Sequence, residues 1–211
     1  MTRSEQSYTN AIDKFPTFLR AHKNLGFVKL SLGKYGDAAS SFSQSISLGE
    51  GDGVTYVALG YCYYMRQQFI SAENAYSIGV LLLPESKDAR NGLVNCLIET
   101  NRFAEALALL NELLIREPEN SFGHRARVAA LQGLGLEMEA TVALETLKRL
   151  GTLNKEDVIR LGDLYHNLGL YDLSLQNYER AIEGDEKLSI SRYIRVASIL
   201  ISRGSFQDCF Y

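Results

Sequence analysis

The chain has 211 residues, enough for one or two ordinary domains, and its 46% hydrophobic and 22% charged content is that of a folded chain rather than a disordered one. A net charge of −3 lacks the clustered cationic excess that nucleic-acid binding requires. No apolar run is long enough to span a bilayer, and residues 1–16 carry no secretory apolar core, so no membrane role and a cytoplasmic location are expected.

The three prolines, Pro16, Pro84 and Pro118, are 68 and 34 residues apart, and Leu25-Gly26, Leu59-Gly60 and Leu161-Gly162 are 34 and 102 apart. Proline stops a helix, so a stop recurring on a beat that a second marker shares means one structural unit copied end to end. Residues 1–18 read as half a repeat, a helix over 4–15 with Tyr8 and Ala11 on its contact face and Pro16 closing it. Five repeats follow at 19–52, 53–86, 87–120, 121–154 and 155–188, each predicted to be two helices around a tight turn.

In the first helix of the second repeat, Tyr56, Leu59, Gly60 and Tyr63 place large residues on one helical face beside a glycine, and Leu161, Gly162 and Tyr165 do the same in the fifth. The turns fall at 32–35, 66–69, 100–103 and 168–171, where Gly33, Asn101 and Gly169 suit the left-handed conformation that ends a helix. The second helices carry a small contact residue, Ala38, Ala72, Ala106, Ala140 or Ser174, and four residues on a bulky one, Phe42, Tyr76, Leu110, Leu144 or Tyr178. The fourth repeat has Arg127-Val128 in place of Leu-Gly, so its first helix is expected to pack less closely. Gly49, Gly51 and Gly53 read as a flexible turn between repeats. Residues 189–211 read as a truncated partial repeat in which Val196, Ala197, Leu200, Gly204, Phe206 and Cys209 keep the expected order. Ile190, Tyr193, Ile194, Ile199 and Ile201 surround its helix with apolar side chains, an expected surface for self-association or for a continuing array.

The 34-residue hairpin with Leu-Gly-x-x-Tyr, Ala-x-x-x-Phe and a closing proline resembles the tetratricopeptide repeat. The second repeat matches through Tyr56, Leu59, Gly60, Tyr63, Ala72, Tyr76, Gly79 and Pro84. The fifth follows it through Leu161, Gly162, Tyr165, Gly169, Tyr171, Tyr178 and Ala181, with Glu186 in place of the proline. The resemblance implies an all-α, right-handed solenoid of stacked 34-residue helix–turn–helix repeats, a superhelix whose first helices line a concave groove.

Little in the chain points to catalysis. Cys62 and Cys96, 34 apart, read as buried apolar side chains, and with Cys209 they are too few for a disulfide scaffold. His22 and His124 read as packing residues. His166 is expected to face the groove, without a partner at metal-ligand spacing. Nucleophile-elbow, phosphate-loop and dinucleotide-loop motifs are absent from the sequence, so neither enzymatic activity nor a cofactor is expected.

Groove-facing positions lie at i, i+3, i+7 and i+10 of each first helix. They are Arg20, Lys23, Phe27 and Leu30; Val54, Val57, Tyr61 and Tyr64; Asp88, Asn91, Asn95 and Ile98; Phe122, Arg125, Ala129 and Gln132; Glu156, Ile159, Asp163 and His166. The pattern predicts a surface running from basic and aromatic through amide to acidic. Phe27, Tyr61, Tyr64, Asn91, Asn95 and Arg125 are the expected peptide-binding residues, the asparagines holding a peptide backbone, the tyrosines its side chains and Arg125 an acidic residue. Lys23 is followed one turn later by Phe27, and Asp88 stands where the chaperone-tail clamp of the family wants a lysine, so that clamp is not expected. The function these residues imply is a non-catalytic scaffold for a protein or peptide partner. The recognition arm of a larger enzyme such as a glycosyltransferase, or a bacterial envelope or secretion assembly factor, are the alternatives.

Overall fold

The 34-residue beat is written in the backbone torsions. Gly33, Gln67, Asn101, Gly135 and Gly169 stand 34 apart and all have positive φ, from 58° to 73°. The residue after each reaches back five positions with its N–H: Lys34 to Lys29, Gln68 to Tyr63, Arg102 to Leu97, Leu136 to Leu131 and Leu170 to Tyr165, at 2.8–2.9 Å. This helix ending satisfies orphan carbonyls and requires one left-handed residue. Helix starts keep the same interval. Asp52, Ser86, Asn120 and Asn154 are extended, and each side-chain oxygen accepts from the backbone N–H three residues on, at 2.7–3.2 Å.

The computed structural model describes residues 2–49, 51–183 and 188–202. Among them it is all helix, an α-helical repeat solenoid of 12 helices with no strand. The readings that rest on Glu186, Gly204, Phe206, Cys209 and the end of the chain fall outside the described residues. The helices group into two compact units, Met1–Arg102 and Phe103–Tyr211. The first holds α1 (Arg3–Lys14), α2 (Leu19–Ser31), α3 (Tyr35–Ser47), α4 (Gly53–Met65), α5 (Phe69–Leu82) and α6 (Lys87–Glu99). The second holds α7 (Phe103–Arg116), α8 (Ser121–Gly133), α9 (Glu137–Arg149), α10 (Lys155–Asn167), α11 (Tyr171–Glu183) and α12 (Ile190–Ser202).

In three hairpins, α2–α3, α4–α5 and α10–α11, the contact is set by one glycine and one ring. A Cβ on Gly26 would stand 2.6 Å from the Phe42 ring, one on Gly60 2.9 Å from Tyr76, and one on Gly162 2.8 Å from Tyr178. Nothing larger than hydrogen fits there. In the α8–α9 hairpin, Val128 takes the glycine's place and Leu144 the ring's, and both are fully buried in one core cluster. The looser packing expected of Arg127-Val128 does not occur, because volume added on one helix is removed from the other.

The glycine-rich turn also differs from its expectation. Gly53 is the first residue of α4 and is buried, and a Cβ there would lie 2.5 Å from the Leu83 side chain. Close packing, not flexibility, calls for that glycine. His22 and His124 act as tethers. Each Nε2 lies 2.8 Å from a proline carbonyl six residues back, Pro16 and Pro118, and since a carbonyl only accepts, the ring N–H donates.

A candidate peptide groove in the first unit

Helices α2, α4 and α6 each turn the same face to a cavity of about 500 Å³ within the first unit. Residues three, four and seven apart share a helical face, so Phe27 and Leu30 come from α2, Val54, Val57, Tyr61 and Tyr64 from α4, and Asp88, Asn91 and Asn95 from α6. Of the six expected site residues, Phe27, Tyr61, Tyr64, Asn91 and Asn95 line this one cavity. Arg125 belongs to the second unit.

The aromatic side chains are braced from below. Phe27 meets Phe42 edge-on at 4.9 Å, Tyr61 meets Tyr35 at 6.0 Å and Tyr64 meets Phe69 at 5.5 Å. Tyr61 keeps 43% of its surface exposed. The Tyr64 hydroxyl reaches Glu99 at 3.4 Å, a long hydrogen bond. Burial raises the pKa of both phenols, with the Tyr35 hydroxyl adding to the effect at Tyr61 and the Glu99 carboxylate at Tyr64. Both stay protonated donors at neutral pH. Asn91 and Asn95 are half-buried, one turn apart, and neither amide hydrogen-bonds another described residue.

Tyr76 joins this lining from α5, a role its place among the contact residues of the second helices did not indicate. It is 4% exposed and lies between Gly60 and Gly92, where a Cβ on Gly92 would stand 2.3 Å from the tip of the ring. The available signal was Gly92 itself, since Ala58 and Ala126 hold the equivalent positions one repeat away.

Ion pairs match several of the charges in the gradient read from the sequence. The Lys23 ammonium is bound by Asp52. Arg125 donates from Nε to Asp157 at 2.8 Å and from a terminal nitrogen to the Thr152 carbonyl, so its charge is already matched inside the second unit. Asp163 accepts from Arg192 at 2.6 Å, from Arg195 at 3.1 Å and from the Tyr178 hydroxyl at 2.7 Å. Ile159 is buried in a core cluster rather than set on an open face. His166 packs edge-on against Tyr171 at 5.4 Å, and burial, aided by Arg195, lowers its pKa. Among the described residues no cluster of His, Cys, Asp or Glu is arranged to hold a metal, and no helix is long and apolar enough to cross a membrane.

Tetratricopeptide repeat models match residues 79–134 and 159–187. No curated protein sequence matches the chain. Among solved structures, the chain is similar to YrrB, a tetratricopeptide repeat protein with an unusual peptide-binding site, at TM-score 0.67 and 15% identity over 85% of this chain and 92% of that one. It is also similar to MamA from Desulfovibrio magneticus RS-1, at TM-score 0.72 and 13% identity over 78% and 93%. A tetratricopeptide repeat protein from Parabacteroides merdae aligns at TM-score 0.60 and 14% identity over 93% and 76%. At such identities the likeness is one of fold.

Proposed function

The chain belongs to the tetratricopeptide repeat family, and from that premise we propose that it is a protein-interaction scaffold that holds a partner peptide in the groove of its first unit and performs no chemistry itself. We assign its repeats to 19–52, 53–86, 87–120, 121–154 and 155–188, with a half repeat at 1–18 and a partial one at 189–211.

One observation carries the reading. Five side chains from three separate helices meet at one cavity, and the lining combines rigid aromatic area with unengaged amides. An apolar concavity with a few convergent polar groups is the ordinary form of a binding site. Each asparagine both donates and accepts, as a peptide backbone requires. Tyrosine supplies large contact area at low entropic cost. The comparison with YrrB, which has a peptide-binding site on the same fold, supports it.

Peptides selected on the full chain from a random dodecapeptide display library provide the test. The Tyr61→Ala, Asn95→Ala double variant should keep its thermal midpoint within a few degrees, because Tyr61 is substantially exposed and Asn95 bonds to no described residue. Its affinity for those peptides should fall by about 1–2 kcal/mol or more. Lost stability with retained affinity would place these residues in the core and the site elsewhere.

A further inference from the structure

The same cavity carries information about the charge of its occupant, and the inference rests on the groove reading above. Among the described residues lining it, Asp88 is the sole charged side chain. It is exposed in the first turn of α6, and no ion pair or hydrogen bond engages it among the described residues. The neighbouring cation on α2, Lys23, is bound by Asp52. Arg125, the residue expected to attract an acidic peptide, is matched by Asp157 in the second unit. The one charge in the cavity lining is therefore anionic and its walls are apolar.

The floor adds a second, independent feature. Tyr178 stands 102 residues after Tyr76, three repeats on, and behind an equivalent glycine, Gly162 for Gly60. The Tyr178 hydroxyl is satisfied inside the protein, donating to Asp163 at 2.7 Å. The Tyr76 side chain is 4% exposed and lines the cavity, and its hydroxyl bonds to no described residue. A phenol hydroxyl that opens into the cavity with no described partner is a donor available to an acceptor brought by a ligand.

We propose that the first-unit groove selects peptides in which a bulky apolar residue stands beside a lysine or arginine: the apolar side chain fills the space between Val57, Tyr61 and Tyr64, a peptide carbonyl accepts from the Tyr76 hydroxyl, and the cation pairs with Asp88. Opposite charge across a rim steers and discriminates more than it tightens, so the effect should show mainly as preference.

The random dodecapeptide library is selected in parallel on the full wild-type chain and on Asp88→Lys. Wild type should enrich Lys or Arg next to Leu, Ile, Phe or Met, while Asp88→Lys should enrich Asp or Glu at that place. Wild-type-selected peptides should bind Asp88→Asn about fivefold more weakly, with a shallower salt dependence, and Tyr76→Phe about threefold more weakly at unchanged fold by circular dichroism. Peptides weakened by Tyr61→Ala but indifferent to Asp88→Asn, or a wild-type selection rich in acidic residues, would overturn the charge preference and leave the groove standing. Selected peptides indifferent to both changes, or no enrichment at all, would overturn both.

Discussion

At the scale of the residue, one position is visibly strained. Gln67 occupies the left-handed slot that glycine holds at Gly33, Gly135 and Gly169. Its φ of 58° brings Cβ against the backbone, a cost of about 1 kcal/mol that glycine avoids. Gln67→Gly should raise the urea unfolding free energy by about 0.5–1 kcal/mol, the gain being reduced by the extra freedom of glycine when unfolded. An unchanged or lowered midpoint would show that the turn is relaxed with glutamine. Cys62 and Cys96 present the opposite case of residues held inert. Burial pushes their thiols up to about 11 and about 12, so at pH 8 both stay protonated as well as inaccessible. In a Cys209→Ser background, labelling by a thiol reagent should follow the unfolding rate; fast labelling of the folded chain would contradict it. At this scale the sequence was partly legible. Asn101 and the glycines announce a left-handed turn by residue type, whereas Gln67 does so only through the period. The partners of Lys23 and Arg125 were illegible because Asp52 and Asp157 lie 29 and 32 residues away on other elements.

Between paired helices, the contact obeys a volume rule that a single residue does not reveal. Glycine faces an aromatic ring in three hairpins, and in the α8–α9 hairpin valine is buried with leucine. Gly60→Val should cost about 1–3 kcal/mol through its collision with Tyr76. Adding Tyr76→Leu should return a large part of that cost, because the pair then copies Val128 and Leu144. Strictly additive losses would show that the two hairpins are not equivalent. The Leu-Gly pairs and the bulky residues sixteen positions after each glycine were legible separately. Their reciprocity was not, since the departure at Arg127-Val128 looks like a defect until both helices are in view. The faces of α2, α4 and α6 were legible from helical spacing alone, since that spacing brings Phe27, Tyr61, Tyr64, Asn91 and Asn95 onto the facing side of their helices. Tyr76 was hidden because it reaches the cavity from a second helix through the space that Gly92 leaves.

For the whole molecule, repeat construction predicts local rather than global damage. Stability in stacked repeats is a sum over repeats and their neighbours, so Gly60→Leu should raise hydrogen exchange mainly across α4, α5 and α6. An even rise along all twelve helices would mean that the chain melts as one block. Acid should act through the ion pairs that hold the caps. Burial pushes the Asp52 carboxyl up, but the bonds from Lys23 and Thr55 outweigh it and hold the group below its ordinary 3.8. A lowered folded-state value contributes stability above the ordinary carboxylate range, lost as pH falls through the lowered value. Asp52→Asn should therefore flatten the acid limb of the stability curve, and an unchanged limb would show that the pair contributes nothing. The central claim concerns where a partner sits. A library-selected peptide carrying benzoylphenylalanine in place of its bulky apolar residue can be irradiated on the full chain and its adducts mapped by mass spectrometry. The cavity reading predicts adducts at the cavity-facing positions of α2, α4 and α6 between Phe27 and Asn95, competed away by the unmodified peptide and lost in Tyr61→Ala. Competable adducts confined to residues outside that span would contradict it.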